Sequence, residues 1–563
     1  MKTLLKNGQV VNVFTCEIEK ANVLIEDDRI IGVGDYSDAD AHRVEDVSGK
    51  YLCPGFIDSH IHIESTMLTP AALAGMCVPH GTTAIVADPH EIANVCGTDG
   101  IEYMIEASEG IPLHVYISLP SCVPATPFDE SGAVLLAKDL KPFYERDRVV
   151  GLAEMMNYPG VLADDGDVLQ KISDAAAEGR AVDGHAPFLS GRALDKYVAA
   201  GIQSDHECSN IDEAKEKLGK GQWIMIRQGT AARNLHDLLP LFDGACSYRC
   251  ILATDDRHPA DIAAEGHIDN IIRLAVKWGK PVTTAIRMAT IQAAEYFGLR
   301  GVGAVAPGYR ADILVLDDLF GVEVRDVYSS GVKVVENKKM TDIKTPAVSS
   351  HLVERVKNSF HVDPLDEKDF EVCEKGSRAR VIKVIEGQLI TDELICDIDL
   401  DVNGGIDVER DILKLAVIER HNNTGHRGIG FIKGIGLKKG AIASSVSHDS
   451  HNLIVIGTND RDMAIAANHI CREGGNVVVV DGKVIAEMPL PIGGLMTELS
   501  GEEIAGANEE VRGAVYKLGV PEGIEPFMNM AFVSLPVIPS LKMTTQGLVD
   551  VNKQERVSLF VED

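Results

Sequence analysis

The residues in this 563-residue chain best suited to chemistry begin with His60 and His62, in the run Gly55-Phe56-Ile57-Asp58-Ser59-His60-Ile61-His62. Residues two apart in an extended strand face the same side, so both imidazoles can hold one cation. Glu154, His185, His206 and Asp255 stand at the ends of four later apolar runs. A glutamate such as Glu154 has two oxygens and can bridge two cations, with His185 and His206 completing the second. Cations ~3.5–4 Å apart share a water and lower its pKa towards neutrality. A lone buried histidine is ordinarily a hydrogen-bonded structural residue, and His114 and His236 are read that way. Six imidazole and carboxylate groups at strand ends are a different matter, because burying them together without a cation is costly. Asp255 adjoins Asp256, and counting alone does not settle which carboxylate faces the cations. Strand alternation favours Asp255, which with Glu154 is a catalytic candidate: near an activated water it serves as general base and returns the proton to a leaving group.

Such groups need elements to aim them. Between flanking β-rich segments, apolar runs alternate with helical patterns, the signature of parallel βα units. Eight strands are expected, near Gly55 to His62, Thr82 to Asp88, Leu113 to Leu119, Val149 to Glu154, Ala181 to His185, Ile202 to His206, Trp223 to Gln228 and Cys250 to Asp255. Amphipathic segments such as Ile101 to Ser108, Val168 to Ala177 and Leu194 to Ala199 fall between them. The expected fold is α/β: a (β/α)8 barrel over residues 54–300, whose catalytic groups belong at the carboxyl ends of its strands. Short strands near both ends of this region, such as Asn22-Val23-Leu24-Ile25, Asp312 to Leu316, Val322 to Val324 and Gly331 to Val335, predict a small composite β-sandwich from residues 1–53 and 301–345. Residues 346–563 form an additional carboxyl-terminal α+β domain, with strands at Leu453 to Ile456 and Val477 to Val480 and a helix from Met463 to Arg472.

Composition narrows the function. The chain is 45% hydrophobic and 25% charged, as in an ordinary globular protein. Its net charge of −31 repels a phosphate backbone. The Lys433 to Lys439 stretch is read as a solvated loop, so no nucleic-acid partner is expected. Eleven cysteines without Cys-x-x-Cys pairs fit a reducing compartment, and the cytoplasm is the expected location. Neither a signal-peptide core nor a run of ~18 apolar residues is found, so no membrane association is expected. The glycine-rich stretch from Gly425 to Gly440 lacks the Gly-Lys-Ser/Thr of a phosphate loop and is read as turns.

Pro54 to His62 resembles the first-strand signature of the amidohydrolase superfamily, and Gly308-Tyr309-Arg310-Ala311-Asp312-Ile313 resembles its late return to the β-sandwich. Four further segments, His60 to Ser65, Asp88 to Asn94, Ala253 to Asp256 and His448-Asp449-Ser450-His451-Asn452, resemble the bacterial and archaeal adenine deaminases within it. The resemblance runs from near residue 3 to Asp550-Val551. It implies hydrolysis of adenine to hypoxanthine and ammonia at a binuclear centre held by His60, His62, Glu154, His185, His206 and Asp255. The implied cofactor is two divalent ions per subunit, manganese foremost, with iron or zinc as alternatives. Glu64, Asp88, His90, His448, Asp449 and His451 are the implied substrate-binding residues. The expected partners are adenine and further copies of the chain, in a homodimer or higher homo-oligomer.

Many superfamily members carry a carboxylated lysine at the end of the fourth strand. Here Glu154 stands instead, with no lysine from 150 to 160, which disfavours dihydroorotase-like and hydantoinase-like readings. N-acetyl sugar phosphate deacetylases also use a glutamate and are the rival enzyme. A barrel retained as an interaction protein is the non-enzymatic alternative, and the complete ligand set argues against it.

Overall fold

A computed structural model describes residues 1–37, 39–230 and 232–561; the last two residues of the expected carboxyl-terminal domain lie outside the described residues. Eight of the apolar runs form parallel strands: β1 (Phe56–Ile61), β2 (Thr82–Ala87), β3 (His114–Leu119), β4 (Val149–Met155), β5 (Ala181–Gly184), β6 (Ser204–Asp205), β7 (Trp223–Arg227) and β8 (Cys250–Ala253). Strands β1 to β5 pair in sequence order in one parallel sheet and β6 to β8 in another. A parallel bridge between Ile61 and Asp255 brings the end of β8 beside that of β1. The domain is α/β and TIM-like. Every residue of β1, β2, β4, β5 and β8 is buried, which explains the continuous apolar runs, since parallel strands are covered on both faces.

Side-chain alternation divides the strands into a floor and a mouth. Ala84 and Val86, Val150, Ala181, Met225, and Ile251 and Ala253 join one buried cluster with Phe297 and Val302. Continuing at intervals of two, the same faces present Glu154, His185, Arg227 and Asp255 at the carboxyl ends. Apolar burial below thus holds a polar rim above. Helices close the connections: Gly166–Ala177 starts at Asp165, whose side chain accepts from the amides of Asp167 and Val168, an N-cap.

Both flanks of this region enter one nine-stranded sheet. Tyr51–Pro54 pairs with Lys2–Asn12 on one side and with Ile313–Leu316 on the other, Cys53 opposite Leu314. The strand expected from Val322 begins at Val324 instead, because Val322 takes φ 50°, a turn conformation incompatible with a strand.

The chain divides into two compact units: residues 1–89, 104–121 and 136–348, and residues 90–103, 122–135 and 349–563. Segments 90–103 and 122–135, which the sequence reading places in the 54–300 region, belong to the second. Asn452 Nδ2 donates to Glu130 O at 2.6 Å, His426 Nδ1 lies 2.7 Å from Glu130 Oε1, and Arg355 donates to Val95 O. Polar anchors of such long sequence separation leave little trace in a linear pattern. The second unit is built on an eight-stranded sheet packed against the helix Asp460–Glu473. Residues 425–440 are not all turns: Arg427–Lys433 is a strand of this sheet. A Cβ at Gly428 would come within 2.0 Å of Thr544 O, and one at Gly430 within 2.6 Å of Met543, so these glycines permit close approach and mimic a turn signal. No helix among the described residues is long and apolar enough to cross a membrane.

In the second unit Lys542 is fully buried in Leu541–Thr544, and its ammonium donates to Leu389 O and Phe532 O. Burial pushes it down to about 7. The unfolded chain then binds more protons than the folded one between that value and about 10.5, so this group makes stability rise with pH in that window. Urea unfolding between about pH 7 and 9 should show the native chain gaining stability relative to Lys542→Met.

Candidate metal centre

Strand β1 is tied to β8 through Asp58. Its carboxylate accepts from the amides of His60 and Thr254 and from Thr254 Oγ1 at 2.5 Å, while the Asp255 amide donates to His60 O at 2.9 Å. The end of β5 is held by Tyr197, whose hydroxyl accepts from the His185 amide and donates to Met155 O. Asn234 does the same for β6 and β7, donating to His206 O and accepting from the Arg227 amide. The ligand-bearing ends are therefore braced by residues other than the candidate ligands.

Glu154 organises the site. Its Oε1 lies 3.3 Å from His62 Nε2 and 3.9 Å from His60 Nε2, and its Oε2 lies 2.6 Å from His185 Nδ1 and 3.1 Å from His206 Nε2. One oxygen thus serves each imidazole pair. Asp255 Oδ1 lies 3.1 Å from His62 Nε2 and 3.6 Å from His60 Nε2. Asp256 turns away and accepts from Ser65 Oγ at 2.6 Å. The backbone separates the two carboxylates, since Asp255 lies beyond β8 with φ 59°. Extended alternation alone would not have described this bend.

Of the groups of donor atoms within 4.8 Å of one another that could hold an ion, three lie wholly in the first unit: His60, His62 and Asp255; His60, Glu154 and His206; and His185, His206 and Glu207. The fit is chemical as well as geometric. His60 Nε2 and His206 Nδ1 are buried with no hydrogen-bond partner among the described residues. His62 Nδ1 lies 3.1 Å from Asp88 O; donating there leaves the Nε2 lone pair for a cation, the usual support for a metal-binding histidine. Imidazole and carboxylate donors suit divalent manganese, iron or zinc.

Charge in the cluster points the same way. Burial opposes ionisation of Glu154, but His185, His206 and His62 hold it well below the usual carboxylate range. Burial likewise opposes ionisation of Asp255, and Arg227 with His60 and His62 holds it well below that range. Against the same burial, Asp255 and Glu154 raise His62 well above its ordinary value, and Glu207 and Glu154 push His185 up to about 9. Two buried carboxylates thus hold protons on neighbouring imidazoles, where a cation would replace them.

Two members of the site escaped the sequence reading. Arg227 Nη1 donates to Asp255 and, at 2.6 Å, to Glu207 Oε1, while Nη2 donates to Glu207 Oε2 at 2.9 Å. The signal was present, since Arg227 closes β7 and Glu207 follows His206, but a search confined to metal-ligand types passes over a guanidinium. Of the substrate-binding candidates, Glu64 opens the buried turn Glu64–Thr66 and Asp88 follows β2, both in the first unit.

The other four are gathered in the second unit. His90 opens the helix His90–Cys96, with Nε2 at 4.0 Å from Asp449 Oδ1. Glu91, which the sequence reading did not single out, lies 3.3 Å from His448 Nδ1 and 4.0 Å from His451 Nε2. The Ser447 amide donates to His451 Nδ1 at 3.2 Å, and burial, then His448 and Arg420, hold that imidazole well below its ordinary value. The neutral ring therefore carries its proton on Nε2. That Nε2 has no hydrogen-bond partner among the described residues, and Glu91, His448 and His451 together are a further group that could hold an ion.

Comparison with known proteins matches the chain to both halves of this arrangement. Residues 51–335 match the amidohydrolase family and residues 388–555 the adenine deaminase C-terminal domain. Adenine deaminase 2 of Carboxydothermus hydrogenoformans is 47% identical over 98% of this chain and 95% of its own length. Adenine deaminases of Desulfatibacillum aliphaticivorans and Kosmotoga olearia are each 47% identical over 99% of this chain and 97% and 96% of theirs. The chain belongs to the adenine deaminase family. Membership extends over both units, since the match at 388–555 lies in the second.

Because metal must displace protons from the imidazoles, uptake of Mn²⁺ should release protons and weaken as pH falls below about 9, the value for His185. Metal titration at pH 9, 8 and 7 with proton release followed in weak buffer checks this. Glu154→Ala should cost more bound metal than His185→Ala, since Glu154 faces both imidazole pairs.

Proposed function

We propose that this chain hydrolyses adenine to hypoxanthine and ammonia, on a closed (β/α)8 barrel holding two divalent ions per subunit. The observation that carries the reading is the division of Glu154 between two imidazole pairs, in a chain whose full-length relatives are adenine deaminases. His60, His62, Glu154, His185, His206 and Asp255 are the proposed ligands. When bound, the cations would supply Lewis acidity and lower the pKa of water; manganese is the expected ion, with iron or zinc as alternatives.

The protein groups account for the proton movements. Attack of water on C6 of adenine forms a C–O bond and breaks the C–N bond to the amino group, with one proton moved from water to the departing nitrogen. Asp255 is placed to take that proton and return it, because Oδ1 faces the imidazoles while Arg227 holds Oδ2. The Arg227–Glu207 pair fixes the carboxylate so that the proton acceptor does not rotate between the two transfers. In the first unit Glu64 and Asp88 are the proposed purine contacts. The eleven cysteines, all free, support a reducing cytoplasmic setting, and the proposed assembly is a homodimer or higher homo-oligomer.

Mn²⁺-loaded protein should release ammonia from adenine but not acetate from N-acetyl sugar phosphates; acetate release without adenine turnover would reverse the assignment. His60→Asn with His62→Asn should lower bound metal and reduce kcat/KM at least about 100-fold, roughly 2.7 kcal/mol of transition-state stabilisation. Asp255→Asn should instead lower kcat while KM changes little, measured by hypoxanthine formation.

A further inference from the structure

At the opposite end of the barrel strands from the metal ligands, a cavity of about 250 Å³ is lined by Arg29, Arg180, Arg300 and Arg310, with Asp147 as its one carboxylate. Such a convergence is unexpected in a chain of net charge −31. The cavity lies under the apolar floor, sharing Val150, Phe297 and Val302 with the core cluster. Val150 and Glu154 are four residues apart on β4, roughly 13 Å, so its ligand is not the molecule that meets the metal ligands.

Arg29 pairs with Asp28 at 3.4 Å and donates to Gly308 O at 3.3 Å, whereas Arg310 and Arg180 are held but keep unpaired N–H groups. Arg310 Nε donates to Asp312 Oδ2 at 2.5 Å and Nη1 to Tyr116 Oη at 2.9 Å, while its buried Nη2 has no hydrogen-bond partner among the described residues. Arg180 Nη2 donates to Tyr144 O at 3.3 Å, and its buried Nε likewise has no partner. Arg180 and Arg300 make no ion pair among the described residues, and Asp147 lies beyond ion-pair distance of all four. Buried N–H groups are costly to leave unpaired. Planar guanidinium forks match the oxygens of carboxylates and phosphates bidentately, and four guanidinium groups around one carboxylate favour a doubly charged anion over a singly charged one. A second cavity, of about 500 Å³, shares Tyr116 and Arg310 and adds Arg148 and His114, offering room for an organic group attached to the anion.

We propose that this arginine-lined cavity is a binding site for a phosphate dianion, either inorganic phosphate or the phosphoryl group of a nucleoside monophosphate. The barrel floor anchors Arg180 directly before β5 and Arg310 against Tyr116 of β3. Exposed Arg29 and Arg300 provide the entrance.

The test is calorimetric titration of the metal-loaded protein with inorganic phosphate and, separately, with AMP. Saturable one-to-one binding of either below about 10 mM is expected; equal affinity identifies phosphate itself, and tighter AMP binding the nucleotide. Arg180→Gln with Arg300→Gln should weaken it at least about ten-fold, and the exposed Arg300→Gln alone should weaken it if the double variant does not fold. Binding should persist in His60→Asn with His62→Asn. No binding of either anion, binding unchanged in the arginine variants, or binding abolished with the metal ligands would overturn the proposal.

Discussion

The site rests on one buried carboxylate shared between four imidazoles. Glu154 offers one oxygen to His60 and His62 and the other to His185 and His206. Such a group cannot sit in an apolar interior unless positive charge meets it on both sides. This requirement sets the spacing of β1, β5 and β6 around β4. It also explains why the position holds a residue with two equivalent oxygens on a short stem.

The barrel meets this demand by separating its two tasks along each strand. Below, the alternating residues of β2, β4, β5, β7 and β8 make a dry floor that fixes the strands against one another. Above, the next residues on those faces carry charge, and their backbones are clamped by Asp58, Tyr197 and Asn234 rather than by the reacting groups themselves. Arg227 adds the counter-charge that keeps Asp255 and Glu207 ionised side by side. Placing the guanidinium there leaves the other oxygen of Asp255 to face His60 and His62.

The second unit follows another logic. Its eight-stranded sheet and the helix Asp460–Glu473 supply a core, and the polar groups collect where the segments 90–103 and 122–135 join it. Glu91, His448, Asp449 and His451 are buried together. The amide of Ser447 selects the tautomer that puts the proton of His451 on Nε2, and the residue types that form the candidate cation groups of the first unit recur here.

By itself the sequence determined the periodic features. Parallel strands buried on both faces must be written in continuous apolar residues, so all eight were legible to within a few residues. Alternation then identified His60, His62, Glu154, His185, His206 and Asp255 as candidates at their ends, and Glu154, with no lysine from 150 to 160, disfavoured a lysine-bridged centre. Tertiary structure decided what depends on contacts between distant segments. The choice of Asp255 over Asp256 follows from a bend at the end of β8 and a hydrogen bond to Ser65, and Arg227 acquires its role only from the carboxylates that the fold brings to it. The glycines at 428 and 430 read as turns because their local freedom is visible in the sequence, whereas the neighbouring strand that needs their missing side chains is more than a hundred residues away. Periodicity is a local property of the chain, while the partner that satisfies a buried charge is not.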